Sequence, residues 1–189
     1  LLFNGMQSSL SLVYDREMGS MRLLLTSPLP RWWLLTCRLI GATAISILQV
    51  YAFLAIAAAF GIDGPGLGYV AVLPALALAG LMLGALGLAL SSLIRQLENF
   101  AGVMNFVIFP MFFASSALYP LWRVREGSPL LADVALFNPF THCVELIRHA
   151  LYLQLEPRAL AVVVVAGAAF FLAAVIAYDP TRGIIGRRR

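Results

Sequence analysis

The sequence predicts an all-α fold, a polytopic bundle of membrane-spanning helices, on three observations. Charged residues make up 12% of 189, against roughly 25% in an ordinary soluble domain. Four uncharged intervals, 39–62, 64–94, 100–122 and 159–178, can each supply the roughly 20 apolar residues that cross a hydrocarbon core. The thirteen basic residues are all Arg and cluster at the ends of these runs, where membrane topology places them.

Residues 1–13, LLFNGMQSSLSLV, are apolar but short, and read as the end of a spanning helix that begins outside this sequence. Asn4, Gln7, Ser8 and Ser9 lie within it, and the amides among them are expected to join helices, at no more than about 1 kcal/mol each. Residues 14–33 are expected to form a helix at one membrane face and its joint to the next span. Tyr14, Met18, Met21 and Leu25 fall on one side of that helix. Asp15, Arg16, Glu17, Gly19, Ser20 and Arg22 occupy the rest. Pro28 stops the helix, because the residue before proline is pushed out of the α region. Pro30 can open the next helix, Trp32 and Trp33 suit the headgroup layer, and Arg38 is expected to snorkel back toward it.

A span over 34–60 carries a polar stripe of Thr43, Ser46 and Gln49. The run GIDGPGLG then makes a turn, since its glycines and proline cannot continue a helix. A span over 69–94 carries Ala77, Gly80, Gly84, Gly87 and Ser91 on one side, a small-residue stripe that admits a neighbouring backbone closely. The next span, 100–118, contains Asn105 and Pro110 and dissolves into SSALYPLW. Such a broken or re-entrant segment is tolerated only where protein or water satisfies its backbone.

Residues 119–157 read as exterior amphipathic helices. Ser128-Pro129 and Asn138-Pro139 are helix starts, each a capping side chain followed by proline. Phe140, Val144, Ile147 and Leu151 line one face of the second helix. A last span over 158–178 leads to a basic tail, 179–189. Nine arginines lie on the side holding residues 14–33 and the tail, and four on the other. The richer side is expected to be cytosolic.

The chain has no Lys, so it cannot build a phosphate-gripping P-loop. ATP chemistry, if used, belongs to another polypeptide. No ionisable group sits near the middle of a span, which argues against a transporter with its own ion coupling. The basic residues form no patterned surface for nucleic acid. His142, Glu145 and His149 could share a helix face and bind a metal, which gives an alternative reading as a membrane-embedded metal-dependent enzyme or anchor subunit. Their spacing is not that of an H-E-x-x-H helix, and a surface helix with an internal Glu145–His149 pair is preferred. Cys37 and Cys143 fall on opposite sides in this topology and cannot pair within a chain; pairing of Cys143 between subunits is the alternative to the free thiol that is preferred. A passive scaffold is a third reading.

Three stretches resemble the ABC-2-type permeases, membrane subunits of ATP-binding-cassette exporters. DREMGSMRLLLTSPLPRWWLLTCRL is similar to that family's cytosolic R-E-x-G-T-x-x-x-L-x-x-[ST]-P stretch, with Ser20 where Thr is commoner, Arg22 where an acidic residue is common and Arg38 in place of Lys. LFNPFTHCVELIRHALY is similar to N-P-[LF]-T-x-x-[VI]-[DE]-x-x-R, which picks out Asn138, Pro139, Thr141, Glu145 and Arg148. SSALYPLW resembles the family's re-entrant segment, with Ser116 in place of Gly. The resemblance implies a six-helix fold, with the first span and part of the second missing from this sequence. It implies two permease subunits, expected as a homodimer, and two ATPase subunits that hold ATP and Mg, with no cofactor on this chain. Asp15, Arg16, Glu17, Gly19, Met21, Arg22 and Leu25 would then belong to a coupling helix seated on the ATPase. Thr43, Ser46, Gln49, Gly80, Gly84 and Asn105 would line a pathway or pack helices. The expected location is a bacterial inner membrane, with a cytosolic C-terminus. Within the family the chain resembles bacterial exporters of the nodulation-factor, multidrug and polysaccharide kind.

Overall fold

The computed structural model describes residues 1–18, 30–61, 65–94 and 97–177. Among them every regular element is a helix: α1 Leu2–Ser8, α2 Leu10–Glu17, α3 Arg31–Ala59, α4 Gly68–Leu93, α5 Leu97–Phe113, α6 Leu121–Gly127, α7 Pro129–Phe137, α8 Pro139–Leu151 and α9 Pro157–Ala177. The fold is the helical membrane bundle that the composition calls for. At 1.5 Å per residue α3, α4 and α9 are roughly 44, 39 and 32 Å long, enough to cross a core of about 30 Å. Their outward faces carry large apolar side chains, among them Leu48, Phe53, Val70, Val165 and Ile176, as lipid requires.

α5 is shorter. Its 17 residues reach only about 25 Å, and it ends at Phe113, before the position 118 expected from the sequence. Ser115 donates from its hydroxyl to the Phe112 carbonyl at 2.7 Å, one of the local side-chain bonds that compete with a helix. After it α6 follows Pro120, and α7 and α8 meet at an 85° bend. Both proline-led starts, Ser128-Pro129 and Asn138-Pro139, open helices.

α1 and α2 are separated at Ser9. Ser8 Oγ donates to the Gly5 carbonyl and Ser11 Oγ to the Ser8 carbonyl, each at 2.9 Å, and the buried Ser9 hydroxyl bonds to Met6. These serines serve their own backbone, whereas Asn4 joins helices: its amide donates to Ser46 Oγ on α3 at 2.6 Å. No glycine or proline interrupts residues 10–18, so α2 continues to Glu17. The helix start expected at Tyr14 therefore falls inside α2.

α4 is the axle. Inside the chain, 56% of its apolar window is buried, against 22% for α3 and 17% for α9. α1, α3, α8 and α9 all pack on it. The small-residue stripe explains how. A Cβ on Gly87 would stand 2.9 Å from Met6 Cα and 3.0 Å from the Gly5 carbonyl oxygen, and a Cβ on Gly5 would stand 3.1 Å from the Gly84 nitrogen. The α1 and α4 backbones thus touch with no side chain between them. On the α3 side a Cβ at Gly84 would meet Leu39 Cδ1 at 2.5 Å, and one at Gly80 would meet Thr43 Cγ2 at 2.8 Å.

Two apolar clusters lie along this axle. Near its N-terminal half Ala75, Ala79 and Met82 pack with Phe140, Leu146, Ala159 and Val163. Near its C-terminal half Ala85, Leu88 and Ala89 pack with Leu12, Leu35, Leu39 and Ala174. The start of α3, the end of α2 and the end of α9 therefore share one end of the bundle. α8 sits at the other, where the Tyr51 hydroxyl also ties α3 to the Tyr69 carbonyl at 2.6 Å.

A substitution series tests the backbone contact. Gly87→Ala meets main chain that no rotamer can move and should cost roughly 1–3 kcal/mol. Gly84→Ala meets a leucine methyl that can turn and should cost less. Gly41→Ala has no neighbour within 4 Å of its added Cβ and should be neutral or gain up to about 1 kcal/mol of helix propensity. Thermal unfolding in detergent reads this order; equal stability of the Gly87 and Gly41 variants would contradict it.

Candidate functional site

Two polar constellations occupy opposite ends of α4. The first joins α2 to α3. Arg38 Nη2 pairs with the Asp15 carboxylate, and Arg38 Nη1 donates to Ser11 Oγ at 2.7 Å. Ser11 and Asp15 lie one turn apart on α2 and Arg38 lies near the start of α3, so a single guanidinium grips two turns of α2. A planar, permanently charged fork suits that task better than an ammonium would. Arg38, expected to snorkel toward the headgroups, has the Asp15 carboxylate and the Ser11 hydroxyl as its partners. Both side chains keep under a third of their surface exposed, so solvent still screens the pair.

The clasp brackets the segment that the family resemblance assigns to coupling. Asp15 faces α3 through it. Arg16 and Glu17 complete the last turn of α2, while Gly19, Met21, Arg22 and Leu25 lie outside the described residues. Trp32 and Trp33, in an edge-to-face pair with centroids 5.6 Å apart, open α3 beside the clasp. Both are exposed, as a headgroup girdle demands.

The second constellation braces the broken end of α5. Asn138 sits at the 85° corner between α7 and α8. Its Oδ1 accepts from the Phe140 N–H at 3.0 Å and caps α8. Its amide donates to the carbonyls of Met111 and Ala114 at 2.7 and 2.9 Å. Arg148, three turns along α8, donates to the Ser116 carbonyl at 3.1 Å and to Glu145 at 2.9 Å. The end of a helix leaves carbonyls without partners, and within a bilayer each costs several kcal/mol if left bare. Asn138 and Arg148 supply the missing donors, with Pro139 fixing the start of the helix that carries Arg148. Thr141 and Ser116 are fully buried, and among the described residues their hydroxyl oxygens have no partner.

Glu145 and His149 pair as expected, His149 Nδ1 lying 3.7 Å from Glu145 Oε2, and His142 does not join them. His142 Nε2 lies 2.9 Å from the Leu136 carbonyl and His149 Nδ1 lies 2.8 Å from the Glu145 carbonyl; each imidazole N–H donates to main chain. The Glu145 carboxylate faces Arg148. Cys143 turns the other way, its Sγ 3.7 Å from Met82 Sδ on α4, and is too buried to pair with a partner subunit. Among the described residues no group of three or more His, Cys, Asp or Glu side chains could hold a metal.

Of the expected pathway and packing residues, Thr43, Ser46, Gly80 and Gly84 are buried at the α1–α3–α4 seam, whereas Gln49 and Asn105 face outward. Reading the sequence alone marked Asn4 as a helix-joining amide without its partner Ser46, and missed the pairing of Arg38 with Asp15. A lone amide and a lone arginine in apolar company were the available signals, but neither names its partner.

A family model described as ABC-2 type transporter matches residues 1–152. Transport permease ycf38 of Porphyra purpurea is 32% identical over 151 residues, 78% of this chain and 50% of that protein. Nodulation protein J of Rhizobium leguminosarum bv. viciae is 32% identical over 76 residues, 40% of this chain and 28% of that protein. The chain spans at most half the length of these curated relatives, and no solved structure matches it.

Removing the donors at the corner should loosen one stretch selectively. Asn138→Ala strips the α8 cap and both donations, whereas Asn138→Asp keeps the cap and loses the donations. Each should cost roughly 1–3 kcal/mol, and amide exchange should quicken over 111–119 while α4 stays protected. Unchanged exchange in the Asp variant would show that the two carbonyls do not need the amide.

Proposed function

The chain belongs to the ABC-2 type transporter family, and on that premise we propose that it is the permease subunit of an ATP-driven exporter, moved by a separate ATPase seated on residues 14–25. The observation that carries this reading is the clasp. Arg38 holds α3 to Asp15 and Ser11 of α2, so both chain ends that flank residues 18–30 are tied to one another. A push on that segment reaches the bundle as a movement of α2 and α3 together. Loose ends would absorb it.

The energy source follows from composition. Without Lys the chain has no P-loop, so ATP and Mg belong to the partner, in two copies for a pair of permeases. A second copy of this chain completes the pathway. Gln49 and Asn105 face outward from mid-span, where a bare amide in lipid is costly. Water in a pathway or a helix of the second copy would satisfy them. The end of the bundle holding the clasp and the end of α9 is the cytosolic one, in keeping with its nine arginines, and the membrane is the bacterial inner membrane. Family resemblance favours export and leaves the cargo open among lipids, glycans and drugs.

Inverted vesicles carrying the permease and its ATPase test the reading. Glu17→Arg or Gly19→Trp should leave insertion intact and lower ATP-dependent transport at least tenfold. Asp15→Arg should do the same, and adding Arg38→Asp should restore it by reversing the ion pair. Normal transport in the first two variants would end the proposal that this segment receives force.

A further inference from the structure

One cavity belongs to neither constellation. Between the end of α5, α6 and α7 lies an open groove of about 520 Å3, within the roughly 300–1,000 Å3 that holds a small organic ligand. Phe113, Val124, Leu131 and Ala135 make its walls apolar. Its polar lining residues are Arg123, Ser115, Tyr119 and Ser128, of which the Ser115 hydroxyl is already bonded to its own backbone turn.

Arg123 is the informative residue. The ion pairs among the described residues engage Arg38, Arg148 and His149, and none engages Arg123. Glu126, one turn further along α6, forms no ion pair with it. Its neighbour is the Trp122 ring, 5.8 Å from the guanidinium carbon, a contact that leaves its N–H donors available to an anion. Tyr119 and Trp122 are both exposed, and such aromatic side chains suit headgroup depth. Leu130 and Phe137 on α7 are among the most exposed apolar side chains of the molecule, so the groove opens beside a lipid-facing surface.

A soluble anion would satisfy the arginine and leave the apolar walls wet. A hydrocarbon would fill the walls and leave the arginine without its anion. An amphiphile with both parts satisfies each. We propose that this groove binds one anionic phospholipid, an acyl chain between Phe113, Val124 and Leu131 and the phosphate on Arg123, its oxygens accepting from the guanidinium and from the Tyr119 and Ser128 hydroxyls. The proposal requires only that α6 and α7 lie at the membrane interface, and holds whether or not residues 14–25 meet an ATPase.

Native mass spectrometry of the full-length protein in detergent tests it, with phosphatidylglycerol as the probe. Wild type should retain one phosphatidylglycerol per chain and bind diacylglycerol of the same chain length at least tenfold more weakly. Arg123→Gln should weaken phosphatidylglycerol about tenfold. Leu131→Trp, which fills the groove, should abolish retention, and Arg125→Gln, on the same helix but outside the groove, should leave it unchanged. Thermal unfolding of each variant confirms that it is folded. Equal retention by Arg123→Gln and wild type would overturn the proposal. So would an equal loss in Arg125→Gln, which would mark a diffuse charge effect. Displacement of the lipid by inorganic phosphate alone would mark a simple anion site, and cross-linking of Leu131 to a second copy would mark a protein interface.

Discussion

The structure depends on the approach of two backbones, α1 against α4, at Gly5, Gly84 and Gly87. In water, helices are driven together by the hydrophobic effect; between lipid tails that drive is absent, and close packing and interhelical hydrogen bonds must take its place. Bare glycine surfaces let α1 and α4 come close enough for this. The same column receives Thr43 and Leu39 of α3 on its other flank, and Asn4 then reaches Ser46 across the seam. With α1 and α3 fixed to α4, the clasp at one end and the brace at the other have a common rigid reference.

Polarity is spent sparingly in this chain, and its placement is informative. At one end a single arginine binds two turns of the preceding helix. At the other, an asparagine and an arginine take up carbonyls that an interrupted helix cannot satisfy itself. Asn138 caps one helix and braces another with the same side chain, so the corner between α7 and α8 and the end of α5 are set by one residue. The resemblance singles out Asn138 and Arg148 without saying why those residue types are needed; the hydrogen bonds supply a reason.

Much of this was legible in the sequence because it is local. Asn138-Pro139 predicts a capped helix from two adjacent residues, and Gly80, Gly84 and Gly87 predict a close face from spacing alone. What escaped is long-range or cooperative. Nothing in the sequence pairs Arg38 with Asp15, 23 residues away, because a snorkelling arginine and a clasping one look alike. In the first run the amide of Asn4 crosses to α3 as expected of it, whereas the hydroxyls of Ser8, Ser9 and Ser11 each reach their own backbone three residues back. Tyr14 read as a new helix start from the shift in composition, although no breaker separates it from α2. The histidines of α8 could share a face with Glu145, though not at the spacing of a metal helix, and each finds a carbonyl.

The central claim is that a separate ATPase bears on residues 14–25. Photo-cross-linking states it most directly. A photoreactive residue at Met21 or Leu25, in membranes containing the permease and its ATPase, should give an adduct of the summed mass of the two chains. The same residue at Arg125, assigned to the opposite membrane face, should give none. An adduct from Arg125 alone, or none from Met21 and Leu25, would contradict the account.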